Sequence, residues 1–316
     1  MLNTTTAIVF PGQGSQIVGM GLDLAQNFSV AKHLFDEIDE YLQYKLSSYM
    51  FNGPSEELTK TQHTQPALMA VSMAIVRVLQ AETGLKFKDF CSFTAGHSLG
   101  EYSALCASSS LSLCDTAKLL KVRGSEMAKC GLESKGSMAA LLGATIETAQ
   151  QLVNDASQGD VCQVANDNSV GQVVISGTIA AIERAVAMAK DYGIKRAIIL
   201  PVSGAFHSKL MLSACEKMAE ALSSVTIGIP EVAVVANVTA DVIDDYLQIK
   251  NLLIQQITGS VRWRETMLLL QSKKVERIIE IGSGKVLSGL VAKTCPQIES
   301  LSIQNSQDIA DFLKKI

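Results

Sequence analysis

Short apolar runs alternate with longer amphipathic stretches along most of this chain. Residues 7–10 are apolar throughout, which is typical of a buried strand. Leu34, Ile38 and Leu42 recur at helical spacing within residues 30–44, which predicts an amphipathic helix. Alternation of buried strands with helices is typical of a mostly parallel sheet with helices on both faces. We therefore predict an α/β fold.

The same alternation continues to the end of the chain. Residues 65–80 are apolar nearly all around the predicted helix, which favours a buried helix, and Pro66 suits its first turn. In the last third the pattern predicts helix 208–223, strand 231–236, helices 244–257 and 261–273, strand 277–281, helix 285–294, strand 299–303 and helix 306–315.

The stretch between these two parts has a different rhythm. It predicts strand 137–142, helix 146–156, strands 161–165 and 172–176, helix 178–192 and strand 196–202. The order βαββαβ is that of a ferredoxin-like unit. We therefore expect a small inserted subdomain over residues 133–203, and a larger core built from residues 1–132 and 204–316.

Composition narrows the class of protein. The 316 residues are 47% hydrophobic and 18% charged, with a net charge of −4, which argues against nucleic acid and membrane surfaces as partners. No apolar run approaches the ~18 residues of a membrane span, and the first residues lack a secretion signal. Seven scattered cysteines and four histidines predict reduced thiols, a cytoplasmic location and no metal site.

The motif Gly96-His97-Ser98-Leu99-Gly100 carries the clearest chemistry. It follows the predicted strand 91–95 and precedes a small-residue helix over 102–107. A serine between strand and helix, flanked by glycines that permit a sharp turn, is the nucleophile elbow of α/β-hydrolase-like proteins. The large subdomain is therefore predicted to be α/β-hydrolase-like, with Ser98 as its nucleophile.

Two further segments supply partners for this serine. His207 comes just after a predicted strand, and a histidine later in the chain than the serine is the order found in elbow enzymes. It can take the Ser98 proton and return it to a leaving group. The glycine-rich loop 11–16 leaves another strand and offers backbone N–H groups for an oxyanion. His97 is a poor base for its own neighbour.

Together these segments resemble the malonyl-CoA:acyl-carrier-protein transacylases of fatty acid synthesis and the acyltransferase domains of polyketide synthases. The resemblance runs almost from end to end. It rests on Phe10 to Gln16, Thr64-Gln65-Pro66-Ala67, Gly96 to Tyr102, Arg123-Gly124, Asn166 to Gly177, Pro201 to His207, Asn237-Val238 and Glu280 to Leu287.

The resemblance implies a role for each matching residue. Ser98 would accept a malonyl group as an ester and His207 would act as general base and acid. The N–H groups of Gln13 and Leu99 would form the oxyanion hole. Arg123 would hold the malonyl carboxylate, for which a planar guanidinium supplies two parallel hydrogen bonds.

The same resemblance implies how the histidine is oriented and which partners the protein has. Backbone carbonyls, one of them near Asn237, would orient His207. The partners would be malonyl-CoA and an acidic acyl carrier protein, met by basic residues among which Lys60, Lys118, Lys121 and Lys209 are candidates. No cofactor is implied, since the CoA thioester is a substrate, and the protein would act as a monomer.

Two positions depart from the family pattern, and a third position, which matches it, predicts selectivity. His63 stands where some relatives carry glutamine near the floor of the site, and Ala128 where glutamine is frequent. His63 is either a harmless polar replacement or a pH-sensitive contact, and we count it among the residues expected to line the substrate pocket. Phe206 resembles the malonyl-type signature and would crowd an α-methyl branch, which predicts malonyl over methylmalonyl.

Three other functions remain open from the sequence. A free-standing acyltransferase that serves a polyketide synthase would carry the same motifs. A serine hydrolase or thioesterase would share Ser98 and His207 but gives no reason for Arg123. A non-catalytic docking module of the same fold would have no need of all three residues.

Overall fold

The computed structural model describes residues 5–315 and contains two sheets. The strands are β1 (Thr6–Phe10), β2 (Phe93–Gly96), β3 (Gly136–Leu142), β4 (Cys162–Ser169), β5 (Gln172–Thr178), β6 (Arg196–Ile199), β7 (Ala233–Val235), β8 (Arg277–Ile281) and β9 (Glu299–Ile303). Five of them form a parallel sheet in the order β7-β2-β1-β8-β9, and the other four form a separate antiparallel sheet. The predicted α/β class with two sheets is confirmed.

Helices pack against both sheets. They are α1 (Leu22–Asn27), α2 (Ser29–Leu42), α3 (Leu46–Asn52), α4 (Ser55–Thr59), α5 (Thr61–Thr83), α6 (Phe87–Phe90), α7 (Gly100–Ala107), α8 (Leu113–Ser134), α9 (Ile146–Ser157), α10 (Ile179–Met188), α11 (Leu212–Ser223), α12 (Ile249–Thr258), α13 (Trp263–Ser272), α14 (Val286–Thr294) and α15 (Ser306–Leu313). None of the helices within residues 5–315 is long and apolar enough to cross a membrane.

The parallel sheet brings the two predicted site loops together. Strand β1 is fully buried and pairs with β2 so that Phe10 lies opposite Gly96. The N–H of His97 donates to the Phe10 carbonyl at 3.0 Å, which continues the pairing into the turn. Because parallel strands end at the same edge, the loop after β1 and the elbow after β2 lie side by side.

The antiparallel sheet has the order β4-β5-β3-β6, the arrangement of a ferredoxin-like unit. Helices α9 and α10 cover one face, where Leu141, Leu152, Ile175 and Ile182 belong to one buried cluster. Met138, Ala140 and Val174 of the same sheet belong to a different cluster, the main hydrophobic core. The predicted order βαββαβ is thus confirmed. The subdomain limits at 133 and 203 stay a prediction. Of the predicted core, residues 1–4 and 316 lie outside the described part of the chain.

Several element boundaries differ from the sequence-based expectation. Helix α5 begins at Thr61, so Pro66 lies inside the helix rather than in its first turn. Tertiary packing explains this helix, since it is buried along most of its length from Thr61 to Leu79. The short helices α3, α4 and α6 were not predicted, because four to seven residues are too few to show a helical period.

Candidate active site

The elbow depends on two glycines that let strand and helix touch. Ser98 has φ +53°, a left-handed conformation that non-glycine residues rarely adopt. A Cβ on Gly96 would lie 1.9 Å from the carbonyl of Gly100, and a Cβ on Gly100 would lie 2.3 Å from the Phe10 carbonyl oxygen. The backbone therefore leaves room only for glycine at both positions.

We expect Gly96→Ala to destabilise the protein by at least about 3 kcal/mol, because the methyl group would overlap backbone atoms that cannot move independently. Gly289→Ala is the matched control, since Gly289 lies in α14 and a Cβ there meets nothing within 4 Å. The control is expected to be neutral or stabilising by up to about 1 kcal/mol. Urea unfolding of both variants measures the difference, and equal midpoints would contradict the steric argument.

Ser98 and His207 meet across the site. The Ser98 Oγ and His207 Nε2 atoms are 2.8 Å apart. His207 Nδ1 faces two carbonyl oxygens, those of Gln256 at 2.8 Å and Gly259 at 3.2 Å. Carbonyl oxygens only accept hydrogen bonds, so Nδ1 carries the proton and Nε2 is free to accept the serine proton. This is the geometry of a nucleophile with its general base.

The carbonyls that orient His207 come from the end of helix α12. Gln256 is in its last turn and Gly259 follows its end, so the Gln256 carbonyl lacks a partner within the helix. The negative end of the helix dipole favours a positive charge there by about 0.3–2 kcal/mol. The carbonyl dipoles thus stabilise the imidazolium that forms when His207 takes a proton.

The expectation that Asn237 helps to orient His207 is wrong. Asn237 follows β7, and its side chain reaches across to the elbow, where it accepts from the Ser98 N–H at 2.7 Å and donates to the Gly96 carbonyl at 2.7 Å. Its own carbonyl accepts from the Arg262 N–H. Because β7 lies next to β2 in the sheet, Asn237 is placed to brace the turn and not the histidine.

His207 is kept neutral by its surroundings. Burial, with the Arg123 charge as a second cause, holds the pKa of this imidazole well below that of an exposed histidine. The carbonyls of Gln256 and Gly259 act in the opposite direction. A base that is unprotonated at neutral pH is ready to accept the Ser98 proton.

Arg123 lies beside the nucleophile and is 1% exposed. Its Nη2 donates to Ser98 Oγ at 3.1 Å and to Gln256 Oε1 at 2.9 Å, and its Nη1 donates to Gln65 Oε1 at 2.8 Å. All three acceptors are neutral, and within residues 5–315 the Nε atom has no hydrogen-bond partner. A buried cation held only by neutral groups is prepared to bind an anion.

Two backbone donors face the same space. Gln13 lies in the loop after β1 and Leu99 follows Ser98, and both line the cavity that contains Ser98. Among the residues that the structure describes, neither N–H group donates to another protein atom. Free N–H groups on two residues that line the cavity are what the predicted oxyanion hole requires.

The cavity has a volume of about 500 Å³, large enough for an acyl group and part of its carrier. It lies between the two sheets, because the second sheet contributes Met138, Ala140, Asn166 and Val174 to its wall. Ser98, His207, Gln13, Leu99, Arg123 and Phe206 all line this one cavity. Six of the eight predicted site residues are therefore brought together.

The expectation that His63 contacts the substrate pocket is wrong. Its Nδ1 lies 2.8 Å from the Glu57 carbonyl oxygen, and its ring packs against Tyr49 and Tyr44 with centroids 4.9 and 5.5 Å away. Gln65, two residues later on α5, lines the cavity instead. Two residues correspond to about 200° around a helix, so the two side chains point in nearly opposite directions.

Two further predictions concern His97 and the basic residues expected near the site. The Nε2 atom of His97 lies 2.9 Å from Asn168 Oδ1 on the second sheet, which agrees with the expectation that His97 is a poor base for Ser98. Lys118 and Lys121 line a surface cavity with Glu40 and Glu126, which is separate from the cavity around Ser98. The lysine side chains were predicted from charge alone, which carries no information on where a surface residue lies.

Sequence reasoning missed the most connected residue of the site. Gln256 contacts Arg123 through its Oε1, the Ser98 carbonyl through its Nε2 and His207 through its own carbonyl. It lies in an ordinary amphipathic helix with no motif around it, so the sequence offers no signal. Gln65, by contrast, lies in the Thr64 to Ala67 segment on which the family resemblance rests.

Comparison with known proteins agrees with this geometry. The model of the acyl transferase domain family matches residues 7–309. A malonyl CoA-acyl carrier protein transacylase from Bacillus subtilis is 44% identical over 304 residues, which are 96% of this chain and 94% of the relative. The crystal structure of an acyl-carrier-protein-S-malonyltransferase from Bartonella henselae matches with a TM-score of 0.94 and 45% identity over 98% of each chain.

A further solved structure includes a second protein. It is a complex of a type II polyketide synthase acyl carrier protein with its malonyl-transacylase, and it matches with a TM-score of 0.94 and 37% identity over 98% of this chain and 99% of that one. A family match over nearly the whole chain, together with relatives of this identity, leaves one assignment. The chain belongs to the acyl transferase domain family.

Proposed function

We propose that this protein transfers the malonyl group from malonyl-CoA to the phosphopantetheine thiol of an acyl carrier protein. The observation that carries this proposal is the position of Arg123, a buried guanidinium without an ion-pair partner in the described residues, 3.1 Å from the Ser98 hydroxyl. A hydrolase of simple esters has no use for such a cation. A transferase of dicarboxylic acyl groups needs one to hold the free carboxylate.

The first half-reaction forms an ester on Ser98. His207 Nε2 accepts the hydroxyl proton while Ser98 Oγ attacks the thioester carbonyl carbon. The carbonyl oxygen becomes an oxyanion that accepts hydrogen bonds from the N–H groups of Gln13 and Leu99. When the carbon–sulfur bond breaks, His207 returns its proton to the departing CoA sulfur.

The second half-reaction reverses these steps with another thiol. The carrier-protein thiol gives its proton to His207 and attacks the malonyl ester, and collapse of the intermediate returns that proton to Ser98 Oγ. Throughout both halves Arg123 would hold the malonyl carboxylate, so the acyl group keeps its position while the acceptor changes. The scheme is ping-pong transfer through a malonyl-serine ester.

The relatives support this assignment through their names. The matched Bacillus subtilis protein is a malonyl CoA-acyl carrier protein transacylase, and the matched complex joins such an enzyme to a polyketide synthase carrier protein. The names thus support a carrier protein as the acceptor, and the matched complex makes a polyketide synthase carrier protein one candidate. We place this enzyme in fatty acid synthesis, with a free-standing polyketide acyltransferase as the alternative.

The experiment follows the acyl group. The protein is incubated with malonyl-CoA, its mass is recorded, and a phosphopantetheine-loaded carrier protein is then added. We expect a malonyl adduct on Ser98 that disappears only when the carrier thiol is present. Loss of the adduct to water at the same rate without carrier would identify a hydrolase, and no adduct at all would indicate a docking module. Finally, the rates of malonyl transfer to a fatty acid carrier protein and to a polyketide carrier protein are compared.

Phe206 is expected to exclude branched acyl groups. It is 7% exposed and lines the cavity next to His207, where an α-methyl group would add volume. We expect Phe206→Ser to raise kcat/KM for methylmalonyl-CoA relative to malonyl-CoA by roughly tenfold, since one methyl in a pocket is worth about 1–3 kcal/mol. Competition between the two thioesters measures the ratio, and an unchanged ratio would contradict this role.

The remaining features of the proposal concern the protein as a whole. We propose a monomer, since every group in the scheme comes from one chain, and no cofactor, since the thioester is already activated. All seven cysteines lie in the described residues and are free, which suits a reducing compartment such as the cytoplasm. We also retain the division into a core of 1–132 and 204–316 and a small subdomain of 133–203.

A further inference from the structure

Behind the elbow lies a buried acidic side chain, Glu101, that has no role in the proposed transfer mechanism. Glu101 is in the first turn of α7 and is 1% exposed, and it is absent from the cavity wall. Its Oε2 accepts from Gln256 Nε2 at 2.5 Å and from the Asn237 N–H at 3.2 Å. A buried carboxylate that touches neither substrate space nor solvent requires a reason.

The reason lies in what Gln256 connects. Its Nε2 donates both to Glu101 and to the Ser98 carbonyl oxygen, the latter at 2.9 Å. Its Oε1 accepts from Arg123 Nη2 at 2.9 Å. The two ends of one carboxamide thus hold the elbow on one side and the guanidinium on the other.

Glu101, together with the Ser98 carbonyl that accepts from the same Nε2 atom, decides which end of the Gln256 carboxamide faces which group. A carboxylate only accepts hydrogen bonds, so it requires the NH2 group of Gln256, and the carbonyl oxygen is then turned toward Arg123. Were the carboxamide reversed, two sets of N–H donors would face each other at Arg123. Burial raises the pKa of Glu101 to about 7, although donors from Gln256 and Asn237 and the Arg123 charge lower it.

We propose that Glu101 is a positioning residue for substrate selection, which orients the Gln256 carboxamide and thereby holds the Arg123 guanidinium where it meets the substrate carboxylate. This inference rests on the proposed function of Arg123. Gln65 anchors Nη1 from the other side, so Gln256 determines the position of Nη2, the atom nearest Ser98.

Loss of this orientation has a specific consequence. A mobile carboxamide leaves Arg123 Nη2 with only the Ser98 hydroxyl as an acceptor, which weakens binding of a carboxylate but leaves acyl groups without one unaffected. General damage to the elbow lowers the rates for both kinds of acyl group alike. The ratio of malonyl to acetyl transfer therefore separates positioning of Arg123 from a merely structural role.

The experiment compares Glu101→Met, which fills the space without an acceptor, with Glu101→Gln, whose carbonyl oxygen can accept the same bond. Acylation of Ser98 by malonyl-CoA and by acetyl-CoA is measured at pH 8, above the pKa of Glu101. We expect the malonyl-to-acetyl ratio of kcat/KM to fall by about tenfold in Glu101→Met, as for loss of a bond to a charged group, and to recover in Glu101→Gln. Glu101→Ala serves as a second acceptor-free variant if Met does not fold.

Glu280→Met is the matched control. Glu280 is equally buried, but its carboxylate accepts from the N–H groups of Leu287 and Ser288 and does not contact Gln256. We expect it to lose stability and keep the wild-type ratio. The proposal is overturned if Glu101→Met keeps the ratio, or if Glu280→Met lowers it equally. If the wild-type protein itself accepts acetyl as readily as malonyl, the proposed function fails instead.

Discussion

Ser98→Ala, His207→Ala and the double variant are expected to lose acyl transfer by similar factors, at least about 10⁴-fold each. Nucleophile and base act as one unit, so removal of either leaves little for the other to contribute. The 2.8 Å contact between Ser98 Oγ and His207 Nε2 is the physical basis of this expectation. The initial release of CoA from malonyl-CoA measures the rate, and the protein mass reports the ester.

Non-additivity is the informative part of this series. If the factors for the two single variants multiplied in the double variant, the residues would act independently and the assigned pair would be wrong. His97→Ala is the control for the neighbouring imidazole, whose Nε2 is engaged by Asn168. It is expected to retain the malonyl-serine ester.

Arg123→Ala is expected to lower kcat/KM for malonyl-CoA by roughly 10²–10⁴-fold and to leave acetyl-CoA much less affected. Two charge-assisted hydrogen bonds to a carboxylate are worth about 1.5–3 kcal/mol each, which corresponds to this range. Arg123→Lys should be intermediate, because it restores the charge but not the paired donors. Competition between malonyl-CoA and acetyl-CoA for Ser98 gives the ratio directly.

The pH dependence offers an independent check on Arg123. The Arg123 charge contributes to the lowered pKa of His207, and the neutral imidazole is the active form. Removal of the charge raises that pKa, so the acidic fall in rate moves to higher pH. Arg77→Ala is a suitable control, since Arg77 pairs with Glu37 away from the cavity. An unchanged malonyl preference in Arg123→Ala would contradict the proposed function.

Much of the fold could be predicted because local pattern and tertiary structure agree in it. The apolar run that forms β1 and the small residues after Ser98 indicate a buried strand and a packed helix. Short helices such as α3 and α4 escaped prediction, since they carry less than two turns of pattern. Helix boundaries also differ from the predicted ones. Helix α5 begins at Thr61, because its burial outweighs the local preference of Pro66 for a first turn.

Some residues of the site could likewise be predicted from the sequence, and others could not. Ser98, His207 and Arg123 could be named because their chemistry is visible in motif and residue type. The hydrogen-bond partners of these residues could not be predicted. The two wrong predictions, for Asn237 and His63, have one cause: position in the sequence does not show where a side chain points. Strand order directs the Asn237 side chain to the elbow and not to His207, and helix phase directs His63 away from the cavity that its neighbour Gln65 lines.

By itself, the sequence predicted the chemistry that we propose for this protein: a serine in a glycine-flanked turn, a histidine to activate it and an arginine for an acidic acyl group. Only the tertiary structure decided how those groups are held. Gln256, Glu101 and the end of α12 converge on the elbow from positions 101 to 259, and hydrogen bonds across such separations depend on the packing of whole elements. Local residue patterns encode the elements, whereas the contacts between them arise only when the chain has folded.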